Sequence, residues 1–96
     1  MIIASVRPGP VGPADAEAAA RRADRAQAQL FLGVLEREFE QVTARINFAE
    51  HCAADEQRHG FAVSAQRFED EACRLWVTLG ELHRMIAALR ARQTRP

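Results

Sequence analysis

Apolar residues recur along this chain in two ladders that run out of step by one residue. The first is Leu32, Leu35, Phe39, Val42, Ile46, Ala49 and Ala53. The second is Phe61, Ala65, Phe68, Ala72, Leu75, Leu79, Leu82, Ile86 and Leu89. Steps of three and four residues place side chains on one stripe of an α-helix. Continued forward, the first ladder reaches Glu56 and Gly60, not Phe61. The phase breaks near Gly60, and a helix-turn-helix lets both stripes face one core. The pattern therefore predicts an all-α fold, an antiparallel helical hairpin.

Punctuation along the chain sets the boundaries. Pro8, Gly9, Pro10, Gly12 and Pro13 crowd one segment, which predicts a flexible arm over residues 1–13. No proline occurs from Ala14 to Arg95, and no run of β-branched residues offers a strand. The hairpin domain is expected over 14–96: helix 1 about 14–59, a turn at 60–63, helix 2 about 64–92. Arg58, His59 and Gly60 are stop signals. Ser64 is a good N-cap, with Val63 and Phe68 at the two positions of a hydrophobic staple.

The turn implies a register. Both helices rise ~1.5 Å per residue, so residues whose numbers add to about 125 lie level. Ala53 then faces Ala72, Ile46 faces Leu79, and Phe39 faces Ile86. This register leaves Ala14 to Leu30 without a partner. That segment overhangs, folds back as a third, Ala-rich helix using Gly33 as a break, or packs on another subunit. Leu30, Phe31, Leu32, Val34 and Leu35 are apolar on more than one side of the helix. A two-helix unit of this size buries little apolar area against its conformational entropy. A homodimer forming a four-helix bundle is the expected answer, with Leu30, Phe31, Leu32, Val34, Leu35, Phe39, Trp76, Gly80 and His83 as the interface.

Composition narrows the chemistry without choosing one. The 13 basic residues, all Arg, balance 13 acidic ones. That neutrality gives no general attraction to nucleic acid or anionic lipid. The absence of Lys fits the codon bias of a GC-rich genome. Two cysteines are too few for a disulfide framework and lack metal-binding spacing. No apolar run is long enough to span a bilayer, and Met1 to Val6 lack the basic start of a signal peptide, so a cytoplasmic location is expected.

Candidate sites are few. Glu56 and His59 have a Glu-x-x-His spacing, which puts both side chains on one helix face, as in carboxylate-bridged di-iron bundles. Glu69 lies level with Glu56, so Glu56, His59 and Glu69 form a candidate divalent metal site. The competing account is a polar hairpin end with His59 near the negative end of the helix dipole. Cys52 and Cys73 also lie level, within reach of a disulfide, but two small buried hydrophobes are the preferred reading. Arg84, Arg90, Arg92 and Arg95 suggest a phosphate-binding tail. No aromatic residues interleave with them, and Glu36, Glu38 and Glu40 lie alongside to cancel their charge. Trp76 widens the apolar face of helix 2, as core or dimer contact, with His83 half-buried beside it. Gly80, one turn from Trp76, would let another helix approach.

The sequence thus favours a non-enzymatic protein–protein interaction module acting through an apolar helix face: an adaptor, small chaperone or accessory subunit, with no cofactor. Small secretion chaperones and four-helix accessory proteins are similar in size and pattern, though no motif assigns the chain to either. The alternatives are a ferritin-like bundle holding iron or another divalent metal at Glu56 and His59, and an Arg-mediated nucleic-acid binder.

Overall fold

The computed structural model describes residues 12–94. Most of the Pro/Gly-rich arm expected at 1–13, and Arg95, lie outside the described residues. Two helices make up the fold: α1 (Pro13–Arg58, 46 residues) and α2 (Ala62–Gln93, 32 residues). No strand occurs among the described residues. The helices pack against each other as an antiparallel hairpin.

α1 starts at Pro13, whose missing N–H costs nothing in a first turn, and Asp15 complements the positive helix end. Its other end is a Schellman motif. Gly60 has φ +78, a conformation that L side chains adopt only at a cost. The Gly60 N–H donates to the Gln57 carbonyl at 3.1 Å, and the Phe61 N–H to the Glu56 carbonyl at 2.9 Å. This stop takes only three residues, so α2 begins at Ala62. Phe61 is its N-cap, its carbonyl accepting from the Ala65 N–H at 2.9 Å. The expected Ser64 cap and Val63–Phe68 staple are therefore corrected: both positions fall inside the first two turns. Tight turn geometry has prevailed over capping preference.

The core lies along the two ladders. Leu32, Leu35, Val42, Ile46, Leu75, Leu82 and Ile86 are buried in one cluster, and Phe39, Leu79 and Leu89 pack against it. Val42 is only 1% exposed. Toward the turn the contact is made by Ala49, Ala53, Ala65 and Ala72. Small side chains there let the helices converge into a three-residue connection. Phe61 is exposed, so the second ladder starts at Ala65.

The register is close to the expectation but shifted, because the turn lies between Arg58 and Ala62 and not at 60–63: the cross-hairpin pairs centre at about 122, with Arg45–Glu71 at 3.3 Å adding to 116. Arg90 pairs with Glu36 at 3.1 Å and the Trp76 indole N–H donates to Glu50 at 3.2 Å, both pairs adding to 126. Phe39 with His83 and Gln29 with Gln93 add to 122. The Gln29–Gln93 hydrogen bond at 3.2 Å sits at the end of α2. Beyond it α1 continues unbroken as an Ala-rich overhang. Gly33 does not interrupt the helix, so the segment before it is part of α1 and not a third helix. A Cβ on Gly33 would meet only the Arg37 side chain at 3.5 Å, an ordinary contact.

Candidate interaction surface

The ladders are buried between α1 and α2, so the hairpin has two flanks, one on each side of that seam. On one flank polar groups pair across it. Glu36, Thr43 and Glu50 recur there every seven residues on α1, and Trp76, His83 and Arg90 on α2. Arg90 bridges to Glu36, Trp76 donates to Glu50, and the His83 ring lies 6.5 Å from that of Phe39.

The other flank carries more apolar side chains and is crossed by one ion pair, Arg45 with Glu71 at 3.3 Å; on either side of that pair it is open. Val34 and Phe48 lie two heptads apart on α1, on one face of the helix. Each opens onto a depression between the helices. Near the open end of the hairpin, Leu30, Phe31, Val34 and Leu89 line a groove of about 790 Å³ together with Arg21, Asp24, Arg25, Gln27, Arg92 and Gln93, so this depression is mixed in character. Nearer the turn, Phe48 and Phe68 meet Ala49 and Leu75 in a notch of about 350 Å³, bounded by Arg45 and Glu71. Leu30 is 74% exposed, Phe48 67% and Phe31 47%. Met85, one heptad beyond Thr78 on α2, is exposed too. Phe31 lies beside the core stripe, one heptad before Glu38, and stays 47% exposed near the end of α2.

The residues expected at the interface divide. Leu30, Phe31 and Val34 are exposed. Leu32 and Leu35 belong to the hairpin's own core, and Phe39 packs against it, so these three are already engaged within the chain. Trp76 is exposed and hydrogen-bonded to Glu50, which corrects its reading as core. His83 is exposed rather than half-buried. Gly80 is half-buried, and a Cβ there would meet only the Arg84 side chain at 3.5 Å. Phe48 and Met85 were missed, because neither lies on the ladder.

The metal candidates do not come together. Among the described residues no group of three or more His, Cys, Asp or Glu side chains is placed to hold a metal ion. His59 turns to its own helix end. Its Nδ1 lies 2.8 Å from the Asp55 carbonyl, a bond that needs the proton on Nδ1, and its ring stacks on Phe61 at 6.2 Å. Both cysteines are free; Cys52 is half-buried and Cys73 exposed. The reading of both as buried hydrophobes is thus corrected for Cys73. Register fixes height along the hairpin, not direction around each helix, and the two cysteines differ in burial. Of the arginine tail, Arg90 is neutralised by Glu36, while Arg92 lines the open-end groove.

No helix among the described residues is long and apolar enough to cross a membrane. Comparison with protein-family models found no match, and comparisons with curated proteins and with solved structures found none either. The functional reading therefore rests on the surface itself.

Proposed function

We propose that this chain is a non-enzymatic helical interaction module that works through its apolar flank. The observation that carries the reading is the row of large exposed side chains, Leu30, Phe31, Val34 and Phe48, beside a core with only seven large buried residues. Phe61, Val63, Trp76 and Val77 are exposed elsewhere, but only this flank joins its large apolar side chains to two depressions between the helices, and that supports reading it as the docking face. A helical surface fits the two depressions, since ridges of one helix pack into grooves of another. A second copy supplies such a surface and yields a four-helix bundle.

Sedimentation velocity at micromolar concentration tests the reading. The protein is expected to run as a dimer or larger. The double variant Phe31→Ser, Phe48→Ser should run as a monomer while circular dichroism shows retained helix. Association untouched by the double variant would refute the apolar flank as the working surface.

A further inference from the structure

The apolar flank has a sequence that complements itself when reversed. On α1 its two heptad strings are Phe31, Glu38, Arg45, Cys52 and Val34, Gln41, Phe48. Laid antiparallel on a second copy, with residue numbers adding to 82 or 83, apolar meets apolar and acid meets base. Val34 faces Phe48, Phe31 faces Cys52, Glu38 faces Arg45, and Gln41 faces itself. An isologous pairing repeats every contact twice.

α2 supplies an independent check. Hairpin partners Phe39–His83 and Gln29–Gln93 add to 122, so the same two-fold axis requires α2 partners adding to about 162. The flank string of α2 is Glu71, Thr78, Met85, Arg92. Glu71 with Arg92 and Thr78 with Met85 each add to 163. Glu71 already pairs with Arg45 at 3.3 Å and Arg74 at 2.9 Å within the chain, so the partner's Arg92 would join an existing cluster of charges at the register that α1 alone had set.

Charge also chooses between the two ways of stacking hairpins face to face. The turn end, residues 50–74, carries six carboxylates and three arginines. The open end, residues 13–34 with 87–94, carries five arginines and three carboxylates. A parallel dimer would set turn end on turn end, acid on acid. An antiparallel dimer sets each basic open end over its partner's acidic turn end.

We infer that the occupant of the apolar flank is a second copy of this chain, docked antiparallel about a two-fold axis through Gln41. This rests on the interaction-module reading and adds the partner and its geometry. Phe48 of each copy then enters the partner's open-end groove beside Val34, with the partner's Arg92 beside Glu71.

Disulfide trapping tests the axis. In a Cys52→Ser, Cys73→Ser background, Gln41→Cys should cross-link to its own copy under mild oxidation. Asn47→Cys, on the polar flank between Thr43 and Glu50, should not. Glu38→Arg should weaken dimerisation roughly tenfold, because symmetry places the like-charge contact twice; adding Arg45→Glu together with Glu71→Gln, which removes the carboxylate that Arg45 pairs with in its own hairpin, should restore it. A dimer that cross-links through Asn47 and not Gln41, or that ignores the charge exchange, would overturn the antiparallel pairing and leave the module reading intact. A monomer that binds a different protein through Phe31 and Phe48 would overturn the second copy alone. A monomer with no association sensitive to those two rings would overturn both.

Discussion

The two flanks of this hairpin are built from the same helices yet present different surfaces. On one, heptad-spaced Glu36 and Glu50 reach across to Arg90 and Trp76. On the other, Val34 and Phe48 sit at the same spacing and find no partner large enough to cover them. Spacing alone makes neither flank functional. Both flanks carry an ion pair across the seam, Glu36–Arg90 on one and Arg45–Glu71 on the other; what differs is whether large apolar side chains are left uncovered beside it. The polar flank is complete within one chain, whereas the apolar flank leaves two depressions and two exposed phenylalanines for something else to fill.

The seam between the flanks sets the scale for effects on folding. Ile46 is 2% exposed in the main cluster. Ile46→Ala should cost about 2–5 kcal/mol in thermal or denaturant unfolding, through lost burial and a residual cavity. Leu79, half-buried at the edge of the same cluster, should cost less when cut to Ala. Equal losses at the two positions would mean that the seam is not the true core.

The comparison of flanks is sharpest at two aromatic residues of similar exposure, Phe48 and Trp76. Phe48→Ala should weaken self-association by about 2–4 kcal/mol, since a dimer loses the ring twice. Trp76→Ala should leave association unchanged and lower hairpin stability by at most ~1 kcal/mol, the worth of one exposed hydrogen bond. Dilution-series sedimentation of both variants separates the cases. A larger association loss at Trp76 would exchange the roles assigned to the flanks.

Both ladders were legible in the sequence because burial between two helices leaves a three-and-four spacing. Leu32 through Ala53 on α1, and Ala65 through Ile86 on α2, lie buried or half-buried along the seam. Phe61 was misassigned because its spacing fits the ladder although the Schellman turn places it before α2. The open flank was only partly legible. The search for a single stripe discards apolar residues off that stripe, and Phe48 is one of them. The usable signal was the 14-residue spacing from Val34 to Phe48, two heptads on one face. Glu56 and His59 show the opposite error: the i, i+3 spacing was real, but spacing says nothing of a third ligand.

Gly60 tests whether the turn or the seam dictates the alignment of the flanks. Its φ of +78 places it where a Cβ is strained, although nothing lies within 4 Å of that position. Gly60→Ala should therefore cost about 1–2 kcal/mol from backbone strain alone. Gly60→Asn should recover part of it, because Asn tolerates the left-handed region. If the seam holds the register, the Gln41 cross-link should survive both substitutions. Its loss would mean that the Schellman turn, not the ladders, aligns the flank strings.

The smallest effect belongs to the polar flank. Arg90 and Glu36 lie 3.1 Å apart with side chains 61% and 44% exposed. Water screens such a pair, and holding two long side chains in one geometry costs entropy, so it should contribute at most ~1 kcal/mol. A double-mutant cycle with Glu36→Ala and Arg90→Ala, followed by thermal unfolding, measures that coupling directly. It should shrink further at 1 M salt, where the screening length falls to ~3 Å. Association should be indifferent to all three variants, because neither residue lies on the apolar flank. A coupling of several kcal/mol, or a dimer that dissociates when Arg90 is removed, would place part of the partner's surface on this side. The contrast between the two flanks would then fail at the Glu36–Arg90 pair itself.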